Sequence, residues 1–501
     1  MASRRRPKVA EPPASPVTSR RSAGVLLHLS SLDAPHAVGD LGPSAHAFAQ
    51  WCASTGFGWW QMLPIGPVGP GDSPYSSTSS FAGEPLLISL ELLADEGLLP
   101  ARAVREAAAR CAKSARALAA RGPLARTDWR VARAVKMPLL AEAACAFETA
   151  GGFSSRDYRD FARRERAWLE DWVRFASGRS DDGARHRFMQ WAFDAQWRAL
   201  RGRCAAIGVS LLGDIPIFVT LDSADVSASP DLFRLNGRGR PEVVTGCPPD
   251  CFSADGQLWG HPHYRWSAHR AQRFRWWVER VSATMRRFDA ARIDHFIGFH
   301  HAYEIPARAL TARKGEWTRQ AGRDVLQAVR RALGAVPLVA EDLGAVTPGV
   351  IALREEFGLP GMKLLHHAFG HDGSGDLPHQ HPRNCVAYTG THDNDTTVGW
   401  WRTLDPKAKR RCRTVCGPDV ARAPHQALAR TLMESAAALA ILPMQDVLGL
   451  DGRARMNLPG SPKGNWRWRL GRDWRAQASR ASPELGALVR ATGRAGPPRP
   501  A

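Results

Sequence analysis

The sequence predicts an α/β protein: a (β/α)8 barrel of the TIM type with a helical insertion subdomain after its second strand. Eight short apolar runs recur along the chain, helical patterns separate several of them, and many of the runs end on polar residues. Strands that alternate with helices pair in parallel. Eight such strands close into a barrel whose active site lies at their carboxyl ends. The runs are "GVLLH" (24–28), "GWWQMLP" (58–64), "GVSLLGDIP" (208–216), "FDAARIDH" (288–295), "VPLVAED" (336–342), "MKLLHHAF" (362–369), "CVAYTGTHDND" (385–395) and "LAILPMQD" (439–446).

The second and third runs are too far apart to be joined by a single crossover helix. Residues 86–200 between them are rich in Ala, Arg and Trp, and they carry amphipathic helical patterns. We therefore predict a barrel over residues 23–489 that is interrupted by a helical insertion at about 86–200. Residues 1–22 and 490–501 are rich in Pro, Arg, Ser and Gly, and we expect them to be disordered tails.

The composition indicates a soluble globular protein. Hydrophobic residues make up 44% of the chain and charged residues 23%. No apolar run reaches the ~18 residues that a membrane span needs, and the basic N-terminus is not followed by the apolar stretch of a secretory signal. The nine cysteines are scattered, which favours reduced thiols and a cytoplasmic location.

The formal net charge of +20 raises the question of a nucleic-acid partner. The excess is overwhelmingly Arg and is spread along the chain, with no helix-turn-helix, zinc-finger or RNA-binding motif beside it. A genome composition bias is the favoured interpretation, so we expect no nucleic-acid partner.

The fourth run, "FDAARIDHF" (288–296), ends on charged residues that share one face of the strand. Arg292 and Asp294 lie two positions apart, and a buried charge costs several kcal/mol unless it is paired. At a barrel rim the pair would face a shared cleft. There the Arg would keep the carboxylate ionised by lowering its pKa, and an ionised carboxylate can act as a nucleophile.

Two further runs bring acidic residues to the same predicted rim. The fifth ends in "VAEDLG", with Glu341 and Asp342, and the seventh ends in "GTHDND", with His392, Asp393 and Asp395. Two carboxyl groups across a sugar are the machinery of glycoside cleavage. The third carboxyl group can hold sugar hydroxyls as an oxocarbenium-like state develops.

Other interpretations of these acids remain open at this point. An Asp at a strand end is often only the N-cap of the next helix, and Asp, Glu and His also bind cations. Arg292 argues against a metal site, because it would repel a cation beside Asp294. A solvated loop is likewise favoured over a metal site for the histidines near the sixth run, which are His366, His367, His371, His379 and His381.

Aromatic and small polar residues after the second and third runs fit a sugar groove. "GDSPYSSTS" (71–79) follows the second run, and "PPDCFSADGQLWGHPHY" (248–264) follows the third. Flat aromatic faces suit the apolar faces of sugar rings. Most of the 18 Trp residues fall on helical patterns and are expected in the core, whereas Trp259 lies in a predicted loop.

The motifs resemble those of the 4-α-glucanotransferases known as amylomaltase or disproportionating enzyme, a family of α-amylase-like barrels. The resemblance covers the chain from about residue 24 to residue 470. The matching stretches are "GVLLHLSSL", "GDLG", "WWQMLPIGP", "GDSPYSS", "GDIPIFV", "DSADVSASPDLF", "PPDCFSADGQLWG", "ARIDHF", "VAEDLG", "GLPGMKLL", "YTGTHDNDTT" and "ARMNLPG".

The resemblance implies roles for individual residues. Asp294 would be the nucleophile, Glu341 the general acid/base and Asp393 the transition-state stabiliser. It implies no cofactor and no metal. The residues implied to bind the substrate are Arg292 and His392 beside the bond that is cut, and Asp214, Trp259, Ser73, Tyr75 and Phe252 along the groove.

The chain departs from the family pattern at two positions. Cys251 stands where the "PPD-x-F" loop usually has Tyr, and Ile297 stands where Arg is common in "HFRGF". Neither change touches the expected catalytic carboxylates. Both bear on how an acceptor is held and which chain length is preferred, and Phe252 keeps one aromatic ring in the loop.

The expected function is transfer of α-1,4-glucan segments from a donor maltooligosaccharide to an acceptor glucan or glucose, by a retaining double displacement. Hydrolysis by the same site is the first alternative, because both reactions share the first half. A basic carbohydrate- or nucleic-acid-binding protein without catalysis is the second, and the intact motifs at all three acidic strand ends argue against it.

Overall fold

The computed structural model describes residues 15–119, 124–249, 253–369, 376–461 and 463–496. These residues form strands β1 (Ser22–Leu26), β2 (Trp59–Gln61), β3 (Ser210–Ile215), β4 (Val243–Cys247), β5 (Gln257–Pro262), β6 (Ala290–Ile293), β7 (His301–Pro306), β8 (Glu316–Arg319), β9 (Leu338–Ala340), β10 (Gly361–Leu364), β11 (Cys385–Tyr388) and β12 (Leu439–Pro443).

The α-helices of the described residues lie mostly between the parallel strands. They are α1 (Pro43–Thr55), α2 (Leu90–Asp95), α3 (Ala101–Ala119), α4 (Trp129–Thr149), α5 (Arg156–Arg164), α6 (Leu169–Ser177), α7 (Gly183–Ala206), α8 (Ala224–Ala228), α9 (Trp266–Ala271), α10 (Arg275–Arg287), α11 (Gly322–Leu333), α12 (Pro348–Glu356), α13 (Leu365–Ala368), α14 (Thr397–Thr403), α15 (Pro406–Cys416), α16 (Pro424–Glu434), α17 (Met444–Val447) and α18 (Trp474–Ala491).

Eight parallel strands form the barrel, in the order β10-β11-β12-β1-β2-β3-β6-β9. The ring closes where the backbone N–H of Ala340 in β9 donates to the carbonyl of Pro360, just before β10, at 2.9 Å. Strands β1, β11 and β12 are buried along their whole length, as expected for parallel strands that are covered on both faces. Each of the eight predicted runs overlaps one barrel strand, so the predicted (β/α)8 fold is confirmed.

The register of three neighbouring strands places the acidic residues side by side. Asp214 of β3 is paired with Arg292 of β6, and Ile293 of β6 is paired with Ala340 of β9. Asp294 and Glu341 each follow their strand directly. The carboxyl groups that are scattered over the sequence therefore meet at one edge of the barrel.

The long segment between β2 and β3 is helical and ends in a helix of the barrel's outer layer. Helix α7 packs on α1 and α10, and the indole of Trp197 donates to the carbonyl of Arg287 at 3.0 Å. The side-chain amides of Gln190 and Gln196 in α7 bind the backbone of the loop after β2. The boundaries of a separate insertion subdomain stay a prediction.

A second, antiparallel sheet has the strand order β5-β4-β7-β8 and was not predicted from the sequence. Its strands come from the segments that follow β3 and β6. They are short and interrupted by Gly246, Gly260 and Pro262, and a register irregularity falls between Val244 and Gly246. These strands therefore lack the alternation of apolar and polar residues that predicts a β-strand. Trp259, which was predicted to lie in a loop, lies in β5.

The predicted disordered tails were too long at both ends. Residues 1–14 and 497–501 lie outside the described residues, but residues 15–22 and 490–496 pack against the barrel. Arg21 donates to the carbonyls of Thr492, Ser435 and Met433. An arginine-rich composition is typical of a solvated tail. Here, however, the guanidinium group of Arg21 donates hydrogen bonds to backbone carbonyls of the folded protein.

Two expectations from composition concern thiols and membranes. The structure describes eight of the nine cysteines, and none of these eight forms a disulfide. Among the described residues, no helix has both the length and the apolar character that a membrane crossing requires.

Arg494 offers a test of how firmly the C-terminal segment is docked. Its buried guanidinium group donates five hydrogen bonds to the carbonyls of Met433, Ser22, Ala438, Ser435 and Ala437. Arg494→Ala should lower the free energy of unfolding by about 3 kcal/mol or more, because buried carbonyls lose their donors. Denaturant titration measures this free energy. The control is Arg490→Ala, at an exposed position near the end of α18. Equal stability of the two variants would contradict the conclusion that Arg494 fixes the C-terminal segment to the barrel.

Candidate active site

The candidate site is centred on the guanidinium group of Arg292 at the end of β6. One of its N–H groups donates to Asp294 Oδ1 at 2.7 Å, and two donate to Asp214 Oδ2 at 2.8 and 3.1 Å. The Arg292 side chain is 4% exposed, that of Asp214 is 0% exposed and that of Asp294 is 27% exposed. The buried cation is thus paired with two carboxylates, and only Asp294 reaches the cleft.

Tyr75 joins this network from the loop after β2. Its hydroxyl donates to Asp214 Oδ2 at 2.7 Å and accepts from Arg292 at 3.0 Å. The Tyr75 ring stacks on the imidazole of His392, with 5.2 Å between ring centroids. The Ser73 hydroxyl accepts from the Tyr75 N–H at 3.3 Å, so Ser73 orients the turn that carries Tyr75.

Glu341 is held directly after β9 and beside Asp294. Its backbone N–H donates to the carbonyl of Ile293 at 3.1 Å, and its carboxylate accepts a short hydrogen bond from the N–H of His295. His295 has a φ of 48°, in the left-handed region, which turns that N–H toward Glu341. The half-buried indole of Trp259 contacts the His295 ring, with centroids 4.8 Å apart.

Asp393 is oriented by two residues that the sequence analysis did not single out. The side-chain amide of Asn457 donates to Asp393 Oδ1 at 2.6 Å, and Arg455 donates to the Asp393 carbonyl. His392 Nε2 lies 3.4 Å from the other carboxylate oxygen, and burial lowers the pKa of His392. Asn457 and Arg455 both belong to the "ARMNLPG" motif. The motif matched the family pattern, but the match gave no role for either residue.

The pKa of Asp294 differs from the expectation. We expected Arg292 to lower it, but burial raises the pKa of Asp294 to about 7. Arg292 does oppose this rise, while the nearby carboxylates of Asp214 and Asp393 add to it. The prediction of a net lowering was therefore wrong, because the guanidinium group is shared with Asp214 and cannot offset the burial of Asp294.

The pKa of Glu341 is also raised, well above its ordinary range. Burial is the largest cause, and the neighbouring charge of Asp294 adds to it, while Arg292 opposes it. Two such close carboxyl groups titrate as a pair. Asp294, bonded directly to Arg292, is the member that holds the negative charge more readily, and Glu341 is the member that holds the proton.

Of the two positions that depart from the family pattern, only Ile297 lies in the described part of the chain. Ile297 is 2% exposed and packs in the hydrophobic core, so its side chain is not placed to contact an acceptor. The effect of this position on acceptor handling and preferred chain length stays a prediction. Cys251 and Phe252 lie outside the described residues.

Not all of the histidines near β10 lie in a solvated loop, as was predicted for them. His366 is 4% exposed and stacks on Trp400, with centroids 4.4 Å apart, and His381 is 4% exposed and bonded to the carbonyl of Asp376. The prediction was wrong for these two because a buried, neutral imidazole can be packed like an aromatic residue. His371 lies outside the described residues.

Two other acids at the rim have structural contacts. Asp342 accepts from the N–H of Met362 at 2.7 Å and forms a short ion pair with Arg354. Asp395 accepts from the N–H of Thr396 at 2.8 Å. These carboxylates bind backbone N–H groups, but neither is the N-cap of the following helix, which is Thr347 for α12 and Thr396 for α14.

A parallel barrel with carboxyl groups at the carboxyl ends of neighbouring strands has the arrangement of a glycoside-cleaving barrel enzyme. A family model described as 4-alpha-glucanotransferase matches residues 27–184 and 176–473. The 4-alpha-glucanotransferase of Thermus thermophilus is 40% identical over 94% of this chain and 98% of its own length. The Synechocystis 4-alpha-glucanotransferase is 38% identical over 90% of this chain and 94% of its own.

Structural comparison agrees with the sequence comparisons. The amylomaltase from Streptococcus agalactiae, solved in complex with acarbose, superposes with a TM-score of 0.88. It is 29% identical, and the match covers 95% of this chain and 100% of that one. The chain belongs to the 4-alpha-glucanotransferase family.

The network around Arg292 predicts how Asp294 titrates. Asp214→Asn removes a negative charge next to Arg292 and Asp294, so the pKa of Asp294 should fall from about 7 by roughly one unit. Carbon-13 NMR of aspartate-labelled protein measures this, with the resonance assigned by its loss in Asp294→Asn. Tyr75→Phe removes a hydroxyl without changing charge and should leave the titration nearly unchanged. A pKa that stays the same in Asp214→Asn would contradict the charge network.

Proposed function

We propose that this protein transfers α-1,4-glucan segments between maltooligosaccharides by a retaining double displacement, with Asp294 as nucleophile and Glu341 as general acid and base. The adjacency of these two carboxyl groups, only one of which is bonded to Arg292, carries the proposal. Membership in the 4-alpha-glucanotransferase family supports the reaction, and the geometry supports the assignment of roles.

In the first step Asp294 attacks the anomeric carbon of the donor. The bond to the leaving oxygen breaks, and Glu341 gives its proton to that oxygen. The covalent glucosyl-enzyme carries the chain on the non-reducing side, and the released sugar leaves. The raised pKa of Glu341 supports this role, because a general acid must hold its proton near neutral pH.

In the second step the 4-hydroxyl of an acceptor glucan attacks the same carbon. Glu341, now ionised, takes the hydroxyl proton, and the bond to Asp294 breaks. Two displacements at one carbon retain its configuration, and such enzymes hold their carboxyl groups about 5–5.5 Å apart. Every proton and bond in the cycle is then supplied by Asp294, Glu341 and the two sugars, so we propose no cofactor.

The surrounding residues have supporting roles in this proposal. Asp393, fixed by Asn457, holds sugar hydroxyls as positive charge develops on the ring. His392 and Tyr75 form a stacked pair beside it, next to the sugar at which cleavage occurs. Trp259, against His295 and near Glu341, is placed to contact the sugar on the leaving or acceptor side.

Hydrolysis uses the same first step and differs only in the acceptor. The family relationship favours a sugar acceptor over water. We further propose that the glucans themselves are the partners and that the protein acts in the cytoplasm without a nucleic-acid partner.

The products from maltotriose test the proposed acceptor. Each cleavage should be matched by a new glycosidic bond, so glucose and longer maltooligosaccharides should appear together while the number of reducing ends stays nearly constant. Chromatography with a parallel reducing-end assay measures both quantities. A steady rise in reducing ends without longer chains would show that water is the acceptor.

A donor with a good leaving group tests the role of Glu341. General acid catalysis is worth about 10²–10⁴-fold, so Glu341→Gln should lower turnover of maltotriose by roughly that factor. Fluoride needs protonation far less than a sugar alkoxide does. With α-maltosyl fluoride the same variant should therefore keep much of its first step and accumulate a covalent adduct on Asp294, detected by mass spectrometry of the digested protein.

The matched control for this experiment is Asp294→Asn. Without a nucleophile it should fail with both donors and form no adduct. An adduct on a residue other than Asp294, or equal losses with both donors in Glu341→Gln, would show that the roles are wrongly assigned.

A further inference from the structure

The segment that carries Asp393 is anchored at both of its ends by one buried side chain, that of Asp446. This segment, residues 389–397, is called the Asp393 loop below. Thr389 comes directly after β11, and Thr397 is the first residue of α14. Asp446 lies in α17, which directly follows β12, the barrel strand next to β11. In the proposed mechanism it takes no part in either displacement.

The carboxylate of Asp446 accepts three hydrogen bonds from the two ends of the Asp393 loop. The hydroxyl of Thr389 donates to Asp446 Oδ2 at 2.6 Å. At the other end, the N–H of Thr397 donates to Oδ1 at 2.7 Å, and the hydroxyl of Thr397 donates to Oδ2 at 2.6 Å. Asp446 is 3% exposed, and both threonines are 0% exposed. The two oxygens of one buried carboxylate therefore join the start of the loop to its end.

His366 extends this network from the side of β10. Its backbone N–H donates to the carbonyl of Thr389 at 3.1 Å, and its Nε2 lies 3.0 Å from the hydroxyl of Thr397. Burial lowers the pKa of His366 to about 3, so the ring is neutral. Because the Thr397 hydroxyl already donates its one proton to Asp446, it accepts from His366, which assigns the proton of the imidazole to Nε2. The network thus runs from the imidazole through Thr397 to the carboxylate.

The middle of the Asp393 loop is held by the chain that follows Asp446. The side-chain amide of Asn457 donates to Asp393 Oδ1 at 2.6 Å. Gln445 donates to the carbonyl of Ala454 at 3.3 Å, which ties the segment after Asp446 back to α17. Asp446 therefore fixes where the loop begins and ends, while Asn457 fixes the direction of the carboxylate that the loop presents.

We propose that Asp446 is a positioning residue, which holds Asp393 and His392 beside the sugar by fixing both ends of the loop that carries them. The inference rests on the proposed function, in which Asp393 holds the sugar as positive charge develops on the ring. Asp446 acts only through the position of this loop. Catalysis is sensitive to such positions, because a displacement of about 1 Å can lower a rate by roughly 10²-fold.

The rate of the first step in Asp446→Asn tests the proposal. Asparagine has the same shape but only one acceptor oxygen, so at least one of the three donors loses its acceptor whichever way the amide is turned. The first step should slow by roughly 10- to 100-fold. The loss should be the same with α-maltosyl fluoride as with maltotriose, because positive charge develops on the ring with either leaving group. Fluoride release and single-turnover analysis of maltotriose measure the two rates.

The kinetic parameters separate positioning from weaker binding of the donor. An interaction that acts in the transition state lowers kcat and kcat/KM by the same factor and leaves KM nearly unchanged. We expect this pattern for Asp446→Asn. A higher KM with an unchanged kcat would show that Asp446 supports donor binding, and it would overturn the proposal.

A double-mutant cycle separates the positioning of Asp393 from a general loss of folded enzyme. In the Asp393→Asn background the loop no longer presents a carboxylate, so adding Asp446→Asn should lower the rate much less than it does alone. A loss of folded protein would lower the rate by the same factor in both backgrounds. In the Glu341→Gln background, with α-maltosyl fluoride as donor, Asp446→Asn should retain its full effect.

Asp405→Asn is the matched control. Asp405 caps α15 by accepting from the N–H of Ala408 at 2.8 Å, so this variant also loses a carboxylate that binds a backbone N–H. Its first step should proceed at the rate of the unaltered protein. If Asp446→Asn does not fold, as judged by thermal unfolding, Thr389→Val and Thr397→Val preserve the side-chain shape and each remove one hydroxyl. Each should then slow the first step with both donors.

The cycle also distinguishes this inference from the proposed function. An unchanged rate in Asp393→Asn would overturn the role of Asp393 and, with it, the role inferred for Asp446. If Asp393→Asn is slow, two results overturn the inference alone. One is an unchanged rate in folded Asp446→Asn, and the other is an equal effect of Asp446→Asn with and without the Asp393 carboxylate.

Discussion

The bonding of one guanidinium group to two carboxylates is the constraint on which the site depends. Arg292 contacts Asp214 and Asp294 at once, and this is possible only because β3 and β6 are neighbours in register. Asp214 is buried and serves as the permanent partner of the cation. Asp294 is partly exposed, and in the proposed reaction it leaves this pairing to bond with carbon while Asp214 still neutralises Arg292.

The two neighbouring carboxyl groups of the proposed catalytic pair also differ in their contacts with Arg292. Burial raises the pKa of Asp294 to about 7, and the nearby carboxylate of Asp214 adds to this rise while Arg292 opposes it. Glu341 has no ion pair with Arg292 among the described residues and accepts instead from the backbone N–H of His295. We therefore assign the proton of the pair to Glu341, which is the state that the proposed first displacement requires.

The sequence predicted the parts of this protein that depend on local pattern. Apolar runs ending in "RIDH", "VAEDLG" and "GTHDND" were enough to place Asp294, Glu341 and Asp393 at one rim, because parallel strands of a barrel end on the same side. The antiparallel sheet was missed because its strands are short and broken by Gly and Pro. The sign of the Asp294 pKa shift was missed for another reason: it is set first by the burial of Asp294 and then by Asp214, 80 residues earlier, and both are features of the tertiary structure.

The distribution of arginine changes the meaning of the formal charge of +20. Arg494 is fully buried and donates to backbone carbonyls, and Arg469 donates to the carbonyls of Leu32 and Ala34 from a site that is 8% exposed. Arg280 and Arg292 are buried as well. These side chains serve as internal hydrogen-bond donors, a role that suits a planar group with five N–H bonds. These buried arginines join backbone segments and organise the site, so their guanidinium groups are not available to a partner at the surface.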